Sequence, residues 1–173
     1  FKGISFFHPY ERYLENKFHS NADYITTVSE GLAEQLEQVT NTPVKVIYNG
    51  FDQDDFEFLL KKQRVKNEKF TIAYLGSIYR GYRDPEPLFI ALKELKEEGK
   101  ITSKQFEVVF AGSDSDVADI AKKHNVEDFY SYAGFLPREK ALQIQYDADA
   151  LLFLEFDNPK VKGVLTGKLF EYL

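Results

Sequence analysis

Two glycine turns carry the residues best equipped for chemistry. The chain closes on "KVKGVLTGKLFEYL", from Lys160 to Leu173, where Val164–Gly167 reads as a turn and Lys168 onward as the start of a helix. Lys168 and Glu171 stand three apart and share one face near that N-terminus. A glycine turn opening a helix presents free backbone N–H groups and the positive end of the dipole, a natural place for an anion. Lys168 adds a point charge there, although spacing alone favours a surface lysine beside an ordinary cap. The second turn is "GSIYRGYRDPEP", from Gly76 to Pro87, with Arg80 and Arg83 in a glycine-containing loop. Arginine forks suit phosphate oxygens, and the plainer explanation is two solvated loop arginines.

Other motifs are weaker. "GVLTGKL" is not a phosphate-binding P-loop: Gly163 lies one position too close to the glycine-lysine pair, and Leu169 replaces the required hydroxyl. The loop after Gly76 lacks G-x-G-x-x-G, so an ordinary dinucleotide turn is unsupported. "DSD" (Asp114–Asp116) has the look of a metal-holding acidic triplet, but it opens a helix, where capping explains it. His8, His19 and His124 have no metal-ligand spacing, and no G-x-S-x-G elbow is present. No metal site is expected.

The elements that must position these turns follow from the rest of the chain. Its 173 residues suffice for one domain with a core plus a remainder, and 43% apolar with 29% charged residues describes a globular protein. No apolar run reaches membrane-spanning length. A formal net charge of −6 argues against nucleic acid as a partner, and the absence of cysteine removes thiol chemistry. The chain starts without Met and ends within a helix, so it reads as an excerpt of a longer protein, with a cytoplasmic location as the default.

From residue 70, strand and helix patterns alternate. "FTIAYLG", "FEVVFAG" and "FYSYAG" are short apolar runs that end in glycine, and "ADALLFLEF" is a fourth strand pattern. Between them lie "DPEPLFIALKELKEEGK", with Asp84 placed to cap, Pro85 in the first turn and Gly99 at the end, then "DSDVADIAKKH" and "PREKALQIQYDA". Such alternation predicts right-handed crossovers and a parallel Rossmann-like α/β sheet with helices on both faces, whose ligand edge is the C-terminal one. Residues 1–50 read as the tail of another α/β unit, with helix, strand, helix and strand in "YERYLENKFHSNA", "DYITTVS", "EGLAEQLEQV" and "VKVIYNG". The charged segment 51–69 bridges the two.

In order, "ADYITTVSEGLAEQL", "VKVIYNGFD", "FTIAYLGSIYRGYRDPEPLFIAL", "FYSYAGFLPREKALQIQYDADALLFLEF" and "TGKLFEYL" resemble the retaining nucleotide-sugar glycosyltransferases of the GT-B fold, family four (glycosyl transferases group 1). The resemblance implies two Rossmann-like domains: residues 1–50 the C-terminal part of the acceptor-side domain, 51–69 a linker, and 70–173 a truncated donor-binding domain. It implies a nucleotide diphosphate-sugar donor, UDP- or GDP-linked, and a saccharide or lipid-linked acceptor. No cofactor is implied, and the setting is polysaccharide or glycoconjugate biosynthesis. Any peripheral membrane contact is left to parts outside this segment.

By the same resemblance, Gly76 matches the glycine after the first donor-domain strand, and Arg83 matches the lysine that grips the diphosphate. Ser77 stands where many members carry arginine, so Arg80 supplies the second charge. Gly134, Phe135 and Leu136 match the loop at the nucleobase. Leu165, Thr166, Gly167 and Lys168 lie where backbone amides and a charge meet the phosphates, and Glu171 matches the second glutamate of E-x₇-E, on the ribose. The first glutamate of that pair is replaced: Gly163 occupies its position, between Lys162 and Val164. Arg83 and Lys168 are the implied catalytic groups, offsetting leaving-group charge without a metal during front-side transfer with retention. The segment alone is expected to transfer nothing. The alternatives are a non-catalytic sugar-nucleotide-binding module and a GT-B-type sugar-nucleotide epimerase.

Overall fold

A computed structural model describes residues 8–78, 83–113, 116–155 and 166–172. They fall into two compact units, one of residues 8–51 with 166–171, the other of residues 52–155 with Tyr172.

The smaller unit starts with α1 (His8–Ser20), β1 (Ile25–Thr27), α2 (Glu30–Glu37) and β2 (Val44–Val46). The two strands pair in parallel, Ile25 opposite Val44, as the intervening helix requires. Buried Ser29 caps α2, its hydroxyl accepting from the Leu32 N–H at 3.3 Å. The Thr42 hydroxyl donates to the His19 carbonyl at 2.6 Å and ties the end of α1 to the lead-in of β2.

The larger unit runs α3 (Asp54–Leu60), β3 (Phe70–Leu75), α4 (Glu86–Glu97), β4 (Phe106–Ala111), α5 (Val117–Lys123), a 3-10 turn at Glu127–Phe129, β5 (Tyr130–Tyr132), α6 (Arg138–Asp147) and β6 (Ala150–Leu151). Its four strands are all parallel, in the order β5-β4-β3-β6. The chain thus builds outward from β3 to one edge and then crosses to β3's other side. That reversal makes the gap between β3 and β6 a topological switch point, where open α/β sheets bind ligands.

Strand alternation sorts the core into two layers. Tyr74, Val108 and Phe110 face Phe89 and Leu92 of α4 and Val117 and Ala121 of α5, and all seven are buried. The opposite face carries Ala73, Leu75 and Ala111, packed with Ala141 and Ile144 of α6. Large aromatic groups fill one layer, with the Phe89 and Phe110 rings stacked at 6.0 Å, while small residues let α6 lie close on the other. The fold class is therefore α/β, parallel sheets flanked by helices, with the larger sheet covered on both faces.

At the start of α4 the Asp84 carboxylate accepts from the Glu86 N–H at 2.8 Å, but Pro85 takes the N-cap position instead of the first turn, and Gly99 takes φ +70° after the last turn. The fourth strand is shorter than its sequence pattern. Among the described residues β6 pairs with β3 alone, and its ladder closes with the Leu152 N–H donating to the Ala73 carbonyl. Asp116 also departs from expectation. It adopts φ +64° ahead of α5, and its side chain makes no capping bond to that helix. Asp114 and Ser115 lie outside the described residues.

The charged segment after residue 51 carries α3, stitched to α6. The Arg138 guanidinium donates twice to Asp55, at 2.8 and 3.0 Å. Arg64 donates to the Ala148 carbonyl at 2.7 Å and to Asp149 at 3.0 Å, and Asp149 accepts from the Thr71 N–H.

Candidate functional site

The C-terminal edge of the larger sheet is built from three strand-ending glycines. Gly76 (φ +142°), Gly112 (φ +121°) and Gly134 (φ +77°) all occupy conformations that L side chains resist. They interlock through the backbone. The Gly76 N–H donates to the Ala111 carbonyl at 2.7 Å, and the Gly112 N–H donates to the Gly134 carbonyl at 2.9 Å. A Cβ on Gly112 would sit 2.4 Å from the Gly76 carbonyl oxygen, so glycine is required by contact as well as by φ. The edge therefore packs backbone against backbone with no side chain between.

Side chains brace this edge from beneath and beside it. The Tyr74 hydroxyl rises from the buried layer to donate to the Ser77 carbonyl at 3.1 Å, which holds the loop after β3. The Tyr132 hydroxyl donates to the Gly112 carbonyl at 2.6 Å. With its N–H and carbonyl both engaged, Gly112 shapes the edge. Phe135 follows Gly134 with 88% of its surface exposed, while Leu136 packs against the small-residue layer. That arrangement presents an aromatic ring on an anchored loop.

The sequence-predicted residues distribute as follows. Gly76 and Gly134 meet through Gly112, and Ser77 lies at the head of the same edge. Arg83 is half-buried and directly precedes the Asp84 cap of α4. Thr166 leads into α7 (Gly167–Tyr172), with Gly167, Lys168 and Glu171 all half-buried; this set groups with the smaller unit. Arg80, Leu165 and Gly163 with its neighbours lie outside the described residues. Gly112 and Tyr132 were not singled out in the sequence. "FEVVFAG" did show the strand-then-glycine design, so Gly112 carried a signal; Tyr132 carried none.

A charged cluster joins α4 and α5. The Glu86 carboxylate, in the first turn of α4, receives Lys123 and lies 2.7 Å from His124 Nε2, both at the C-terminal end of α5. Hydrogen bonds from Lys123 and then His124 hold the Glu86 carboxyl below its ordinary range. Among the described residues no group of three or more His, Asp or Glu is placed to hold a metal ion, and no helix is long and apolar enough to cross a membrane.

Residues 2–55 match the family model described as Glycosyltransferase Family 4. No curated protein matches the chain by sequence. Solved structures resemble it more broadly. Sucrose-phosphate synthase from Thermosynechococcus elongatus aligns with a TM-score of 0.58 at 14% identity, over 83% of this chain and 37% of that one. A mutant of S. aureus TarM, in complex with Fondaparinux, alpha-GlcNAc-glycerol and UDP, aligns at 0.56 and 12% identity, over 82% and 27%. The pneumococcal O-GlcNAc transferase GtfA, in complex with UDP and GlcNAc, aligns at 0.53 and 15% identity, over 86% and 29%. The chain thus spans about a third of the length of the structures it resembles. At these identities the likeness is one of fold: an α/β architecture similar to that of GT-B glycosyltransferases.

Proposed function

We propose that the chain is part of a glycosyltransferase, with residues 1–50 from the acceptor-side domain and residues 70–173 from the donor-binding domain, which binds a nucleotide diphosphate-sugar, UDP- or GDP-linked, at the glycine edge. The sugar then passes to an acceptor hydroxyl with retention, in saccharide or glycoconjugate assembly. The observation that carries this reading is the interlock of Gly76, Gly112 and Gly134 at the C-terminal edge of a sheet whose strand order reverses between β3 and β6. Two proteins of similar fold were solved with UDP, which supports the same ligand class.

In this reading the diphosphate lies over the loop after β3, with Arg83, joined by Arg80, offsetting its charge. The family resemblance alone gives Lys168 a share with Arg83 in offsetting leaving-group charge, and gives Glu171 the ribose. The Gly134–Leu136 loop receives the base, with the exposed Phe135 ring available to stack on it. Strands lie about 4.8 Å apart, so the step from β3 to β5 is about 10 Å, a length a nucleoside diphosphate can cover. A non-catalytic sugar-nucleotide-binding module is the second reading, favoured by Gly163 where the first glutamate of the pair would stand.

The test is calorimetric titration of the full-length protein with UDP and GDP, with and without EDTA. We expect one nucleotide to bind whether or not EDTA is present. Arg83→Ala and Glu171→Ala should each weaken it by about tenfold or more. Binding untouched by both substitutions refutes the assignment. Tight binding without sugar transfer to any saccharide acceptor favours the second reading.

A further inference from the structure

We infer that Glu86 is a positioning residue for Arg83, acting through the first turn of α4; this rests on the donor-site reading above. Three constraints converge on that turn. The Asp84 carboxylate accepts the Glu86 N–H, Pro85 is fully buried, and Phe89 one turn on is fully buried in the aromatic layer. The fourth constraint is unusual because it comes from another helix. Lys123 and His124, at the end of α5, both bind the single oxygen Glu86 Oε1, and the His124 side chain is only 14% exposed. One carboxylate thereby complements the positive end of α4 and binds two donors at the end of α5.

Glu86 lies three residues after Arg83, and Asp84 and Pro85 between them are held at one cap. A shift of Glu86 therefore moves the backbone from which Arg83 springs. Helix α5 follows β4 in the chain, so the clamp ties the first turn of α4 to the last turn of α5, the helices that follow the two strands whose glycines touch. A surface ion pair serving only stability would add little. Here the geometry points to a different service: fixing an arginine that must meet phosphate oxygens within a narrow tolerance.

The experiment is a double-mutant cycle on the full-length protein, reading affinity for UDP, GDP and inorganic pyrophosphate. Glu86→Ala is expected to weaken the nucleotide that binds, and pyrophosphate with it, by about tenfold, and Glu86→Gln, which keeps an acceptor oxygen, to restore most of the loss. In an Arg83→Ala background, Glu86→Ala should cost nothing further. An equal loss in both backgrounds, or unchanged affinity with only a lower melting temperature, overturns the proposal while leaving the donor site standing. An Arg83→Ala variant that binds as wild type also overturns the positioning proposal, and a wild-type protein that binds neither nucleotide overturns both. Should Glu86→Ala fail to fold, Lys123→Ala removes one donor from the exposed side and carries the same cycle with a smaller expected loss.

Discussion

The two units handle apolar residues in opposite ways. In the larger, Tyr74, Phe89, Leu92, Val108 and Phe129 are all within 2% of full burial, because a four-stranded sheet takes helices on both faces. In the smaller, Tyr10, Tyr13, Phe18, Tyr24, Val39 and Ile47 are each more than half exposed, and a two-stranded pair is all the sheet its described residues provide. The same chemistry of side chains therefore carries different energetic weight on the two sides of residue 51. The larger unit holds a set of glycines in fixed contact, whereas aromatic residues of the smaller unit form surface.

Substitutions can break that contrast, beginning with the greatest expected loss. Phe89→Ala should destabilise the protein by about 3–5 kcal/mol, read by urea unfolding, since the ring is wholly buried between α4 and the sheet. Gly112→Ala should cost about 2–3 kcal/mol, because the new methyl meets the Gly76 backbone at a positive φ. If Gly112→Ala melts like wild type, the interlock does not exist.

Acid sharpens the comparison. The lowered Glu86 carboxyl stabilises the fold above the ordinary carboxylate range, and that contribution disappears as pH falls through its depressed value. Glu86→Gln should therefore flatten the acid limb of the stability-versus-pH curve while leaving its shape near neutrality unchanged, as thermal melts across pH would record. The smallest effect belongs to the other unit. Phe18→Ser, at a residue 69% exposed, should change stability by no more than about 0.5 kcal/mol. A loss comparable to Phe89→Ala would erase the distinction between the units.

Much of the larger unit was legible because its signals are local. "FTIAYLG" and "FEVVFAG" are uninterrupted apolar runs stopped by glycine, and Asp84-Pro85 announces α4 within two residues of its start. What escaped depends on partners distant in sequence. Gly112 matters because of Gly76, thirty-six positions earlier, and Tyr132 because its hydroxyl reaches back to Gly112. Strand β6 stops at Leu151, opposite Ala73, although β3 runs on to Leu75 and the apolar run continues past it, and nothing local in the sequence marks that stop. Asp116 reads as a cap from its place before an apolar helix, yet its left-handed backbone leaves that role unfilled. Helix α3 was hidden in a charged segment, where "DDFEFLL" is too short to show a period, and Arg138 of α6 fixes it by pairing with its Asp55.

The most direct measurement of the central claim is amide hydrogen exchange of the full-length protein with and without saturating UDP or GDP. Our account predicts that the nucleotide slows exchange at the three strand ends, in peptides covering residues 76–78, 112–113 and 133–136. Protection confined to other segments, with those three unchanged, would contradict it and remove the glycine edge as the donor site.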